Sequence, residues 1–102
     1  MMDKETVSWI FLATALAANT KPTDFNGITL VADGINHAVP TQKEMQTSIV
    51  WLTNNGLIVK HGNSYSLTKK GKFEYDTASK DSDKLLVIWK DLENNLSHYA
   101  DN

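Results

Sequence analysis

Between Lys4 and Ala18 the hydrophobic positions leave no polar side. On a helical wheel Val7, Ile10, Phe11 and Ala18 fall on one flank, and Trp9, Leu12 and Leu16 on the other. Helix 4–18 therefore needs cover on two faces: its own domain's core on one, and the C-terminal helix or a second subunit on the other. Asn19–Asp24 is polar and contains Pro22, which biases Lys21 away from helical angles, so a loop is expected. Gly27-Ile28 reads as a short extended piece. Thr29 is placed to cap a second helix running to about His37, with Leu30, Val31, Ile35 and Ala38 as its core stripe.

Pro40 ends that helix, and Thr41-Gln42-Lys43-Glu44 is a capping box that opens helix 41–55. Met45, Ile49 and Leu52 fall on its buried face, and Gly56 stands where a left-handed cap belongs. Leu57–Lys60, the turn His61-Gly62-Asn63 and Ser64–Leu67 spell a β-hairpin. Thr68 caps a fourth helix from Lys69 to about Ala78, with Tyr65 and Phe73 expected to pack the hairpin and that helix. After the polar break at 79–83, a last helix over 82–99 carries Leu85, Ile88, Trp89, Leu92, Leu96 and Tyr99 in one stripe. The expected fold is α+β and mostly α, in a single domain over residues 1–102. Its core covers about 4–78, and the added C-terminal amphipathic helix spans about 82–99.

Composition adds two constraints. There is no cysteine, hence no disulfide, thiolate nucleophile or cysteine-ligated metal, in keeping with a cytoplasmic protein. All ten basic residues are lysine, and they are unevenly spread: residues 1–40 sum to −2, 41–80 to +3 and 81–102 to −3. A basic island thus lies between acidic ends. The apolar run Trp9–Ala18 follows Asp3, Lys4 and Glu5 rather than a positive leader and is too short to cross a bilayer, so it reads as a buried helix and no membrane role is expected.

Leu52-Thr53-Asn54-Asn55-Gly56-Leu57-Ile58 followed by Tyr65-Ser66-Leu67-Thr68-Lys69-Lys70-Gly71 resembles the L-x-x-x-G-L-I … Y-x-L-T-x-K-G pattern of bacterial winged helix-turn-helix proteins, many of them transcription regulators. The resemblance covers about residues 4–78. It implies that helix 41–55 is the recognition helix and the hairpin around 61–64 the wing. Opposite the buried face of that helix the wheel puts Lys43, Thr47 and Asn54, flanked by Gln46 and Val50. Ammonium, hydroxyl and amide groups of this kind can meet base edges and phosphates. Lys60, His61 and Asn63 on the wing, and Lys69, Lys70 and Lys72 after it, complete the expected DNA-binding set. The chain departs from the family in lacking arginine, which removes the commonest bidentate guanine contact and the usual minor-groove anchor.

No enzyme or cofactor is expected: there is no phosphate-cradling glycine loop, no nucleophile elbow, and no ligand spacing among His37, His61 and His98, so no metal site. Asp81 and Asp83 are expected to support the N-terminus of the last helix. Trp51, well off its helix's core centre, is expected under the wing or against a partner. Two functions follow as expectations. One is a homodimeric regulator of duplex DNA, joined through Trp9, Leu12, Leu16, Leu85, Ile88, Trp89, Leu92, Leu96 and Tyr99. The other is a winged-helix module that binds a protein partner and no DNA.

Overall fold

The first helix, α1 (Lys4–Ala17), is buried without a break from Val7 to Ala15, and the rest of the chain is arranged around it. The computed structural model describes residues 3–99. Asp3 caps α1 by accepting from the amides of Glu5 and Thr6. The remaining elements are α2 (Phe25–Asn36), α3 (Gln42–Asn54), β1 (Ile58–His61), β2 (Ser64–Leu67), α4 (Lys69–Ser79) and α5 (Leu85–Leu96). The protein is therefore α+β and mostly helical, with one antiparallel hairpin among the described residues. None of its described helices is long and apolar enough to cross a membrane.

α1 packs against α2, α3 and α5. Trp9 donates its indole N–H to the buried Ala32 carbonyl of α2 at 2.9 Å. Trp89 of α5 stacks obliquely on Trp9, ring centres 6.1 Å apart, and donates to Glu5 O at 3.0 Å and Ser8 Oγ at 3.1 Å. These bonds matter because an indole N–H buried without a partner is costly.

Within one chain this packing already covers most of the expected dimer interface. Trp9, Leu12, Ile88, Leu92 and Leu96 are buried inside one chain, and Leu16, Trp89 and Tyr99 pack against the same core. The second face of α1 is covered by α5, so these side chains reach another subunit only if the helices part. Of the expected stripe only Leu85 is exposed, beside Leu86 and Val87.

The capping box and buried face expected of α3 agree with the structure. Thr41 Oγ1 accepts from Glu44 N at 3.0 Å and Glu44 Oε1 accepts from Thr41 N at 2.9 Å. Gly56 follows with φ 73° and Gly62 turns the hairpin with φ 63°, conformations that disfavour a Cβ. Ile58 pairs with Leu67 and His61 with Ser64.

Elsewhere the structure differs. Asp24, not Thr29, caps α2, accepting from Gly27 N at 2.9 Å, so Gly27 and Ile28 are helical rather than extended. The extended residue is Thr23, which exchanges two backbone hydrogen bonds with Tyr65. The cap thus falls five residues earlier than expected, and the core stripe is Ile28, Ala32 and Ile35 with Val31 packed against it, leaving Leu30 73% exposed and Ala38 outside the helix. Phe73 points outward at 67% exposure, so it does not pack α4. α5 begins at Leu85 behind a turn in which Ser82 Oγ accepts from Lys84 N, which leaves Asp81 and Asp83 outside its first turn.

α4 is fastened to the end of α3 by Thr68, whose Oγ1 donates to Gly56 O and accepts from Gly71 N, while its amide donates to Leu57 O at 3.1 Å. A Cβ on Gly71 would run into the Leu57 carbonyl. Gly71→Ala should therefore lose about 2 kcal/mol or more in urea denaturation, whereas Gly34→Ala, with open space around it, should gain about 0.5–1 kcal/mol. Leu92→Asp places an unpaired carboxylate in the core and should abolish the folded state, seen as loss of cooperative melting by circular dichroism. A folded Leu92→Asp chain would restore the case for an intermolecular contact at that face.

Candidate nucleic-acid interface

The capping box sets the rotation of α3, and its buried side takes Met45, Ser48, Ile49, Trp51 and Leu52. Lys43, Gln46, Thr47, Val50 and Asn54 are all exposed on the other side. At 100° and 1.5 Å per residue they form a strip about 100° wide and about 16 Å long. Val50 lies on its midline, 58% exposed, with Gln46 and Thr47 to either side and Asn54 one turn beyond.

Lys60 and Asn63 of the hairpin share a shallow recess with Asp24, Phe25 and Asn26 at the start of α2. The Thr23–Tyr65 backbone bridge and a Phe25–Tyr65 ring contact at 5.6 Å hold the hairpin there. The start of α2 thus lies against the hairpin, a feature hidden while the helix is taken to start at Thr29. Asp24, three residues before Gly27 in an N-cap position, is the signal in the sequence that points to it. His61 is exposed, its Nε2 3.1 Å from Ser66 Oγ. Lys43 and Thr47 border a second recess with Asp3, Thr6 and Glu44, so carboxylates temper the positive charge at the head of the strip.

The lysines after the hairpin take separate positions. Lys70 donates to Asn55 O, capping the end of α3 at 3.2 Å, and its ammonium lies 4.7 Å from the centre of the Tyr99 ring. It fastens α4 to α3 and the end of α5, as lysines do at helix C-termini. Lys72 borders a groove with Lys21, Pro22, Tyr75 and Asp76 at the C-terminal end of α1. Lys69 is exposed at the start of α4.

Trp51 is 1% exposed and lies neither under the hairpin nor at the surface. It meets Tyr99 edge-on with ring centres 6.1 Å apart, and Lys4 Nζ sits 4.6 Å from its ring centre. Among the described residues no cluster of three His, Cys, Asp or Glu side chains is arranged to hold a metal ion. No protein-family model, curated protein or solved structure matches the chain.

Tyr99 donates its hydroxyl to Glu74 Oε2 at 2.7 Å. Burial first, then this bond and the charge of Glu74, raise its pKa well above the usual phenol value. The folded chain keeps a proton that the unfolded chain releases near pH 10, so this contribution is complete below that pH and is lost as pH rises through and beyond it. Urea midpoints at pH 8 and pH 11 should show the wild type losing more stability than Tyr99→Phe. Equal losses would mean the hydroxyl carries no such linkage.

Proposed function

We propose that this chain is a winged helix-turn-helix protein that binds duplex DNA and serves as a small cytoplasmic transcription regulator, with α3 as recognition helix and the β1–β2 hairpin as wing. The order of helices and hairpin supports the fold assignment. The DNA reading is carried by one observation: Lys43, Gln46, Thr47, Val50 and Asn54 are all exposed along one strip of α3. A strip about 16 Å long on a helix suits a major groove. Lys43 and Lys60 supply phosphate contacts.

A second reading has its own support. Leu30 and Val39, the latter 65% exposed in the turn before α3, leave apolar surface on or near the same elements, which suits a protein partner. The −2 net charge of the chain also opposes a polyanion.

Fluorescence-anisotropy titration of genomic duplex fragments at about 50 and 200 mM salt separates the two. On the DNA reading, affinity falls steeply with salt, and Lys43→Ala with Lys60→Ala flattens the log–log slope by about two units, one for each phosphate that no longer meets an ammonium. Lys90→Ala on α5 should leave the slope unchanged. Wild-type protein that binds no duplex at low salt refutes the DNA reading and leaves the protein-partner one.

A further inference from the structure

Chemistry along the α3 strip is selective in what it omits. The chain has no arginine, so the bidentate donor most often used against guanine O6 and N7 is absent. Lysine can substitute, but the only lysine on the strip, Lys43, lies at its head, at the edge of a recess it shares with Asp3 and Glu44. The rest of the strip is Gln46, Thr47, Val50 and Asn54. Glutamine and asparagine side chains match the adenine N6–N7 edge in the major groove, and threonine methyl and other apolar groups match the C5-methyl of thymine.

Val50 is the feature least explained by folding. It lies on the midline of the strip at 58% exposure, and a β-branched side chain on an exposed helix face costs helical stability relative to alanine or lysine. Its Cγ methyls, one turn from Gln46 and one from Asn54, stand where an apolar contact would fall between two amide readers. We propose that α3 reads A·T base pairs, with Val50 seated against thymine methyl groups and Gln46 and Asn54 on adenine edges. This inference rests on the DNA reading above. It assigns Val50 as a specificity-determining residue rather than a gap in an otherwise polar surface.

The test begins with selection of bound duplexes from a randomised pool, followed by anisotropy titration of the selected duplex and a G·C-rich duplex of equal length at one salt concentration. A·T-rich cores should be enriched, and the selected duplex should bind at least tenfold tighter. Replacing its thymines by uracil keeps the pairing and the minor-groove edge but removes the methyl. Wild type should bind about fourfold more weakly for each contacted methyl removed, the worth of one buried methyl group. Val50→Ala should bind the thymine duplex less tightly and respond little to uracil. Val50 is exposed, so the variant folds, which a melting curve verifies. Equal binding of thymine and uracil duplexes, or enrichment of G·C cores, overturns the proposal while DNA binding stands. Absence of binding to any duplex at low salt removes the DNA reading itself, and this inference with it.

Discussion

A helix without a polar face has to be enclosed, and that requirement organises this molecule. α1 presents Trp9 and Leu12 as well as Ile10 and Phe11, all of them buried. Two helices of the first half and the last helix of the chain close around it. The indole N–H groups of Trp9 and Trp89 find carbonyls on neighbouring helices, so the enclosure leaves these two large aromatics satisfied. Trp51 is less well served: its buried indole N–H has no hydrogen-bond partner among the described residues. Its ring, by contrast, meets a tyrosine edge and a lysine ammonium.

With α1 fixed, the orientation of α3 follows from two local devices. The Thr41–Glu44 reciprocal cap sets where the helix starts, and the Gly56–Thr68–Gly71 junction sets where it stops and where α4 departs. Between them lie Ile49 and Leu52 facing inward, and Val50 and Asn54 facing out. The outward strip is therefore a by-product of inward packing, and its rotation tolerates little error, since one residue of slip turns a helix by about 100°.

What is legible in the sequence is local chemistry. The capping box, the positive-φ Gly56, the hairpin and the Thr68 cap depend on residues within a few positions of one another, and each can be read from them. The features that escape depend on distant partners. Gly27 looks like a helix breaker, but the space its Cβ would occupy is taken by the Thr23 side chain, and Thr23 is pinned by Tyr65 some forty residues later. Once the bridge sets Thr23, Asp24 caps and Gly27 is needed. Lys70 looks like part of a solvated basic run, and only the tertiary fold reveals that its ammonium closes the end of α3. The need to cover α1 is equally plain in the sequence, yet the dimer expectation gives that cover to a second chain, because hydrophobic pattern states that a face is buried but not by what.

The bond from Trp89 to Glu5 also has a temporal side. The two residues are among the most distant in sequence to touch, so α1 leaves the ribosome long before its lid exists. At synthesis rates of about 5–20 residues per second, the stretch from Ala17 to Leu85 takes roughly 3–14 s to emerge. For those seconds the nascent chain carries a tryptophan-bearing apolar ridge with nothing over it, open to a chaperone or to a neighbouring polysome product. The final helix is thus a release step as well as a structural element: its arrival ends the chain's period of stickiness.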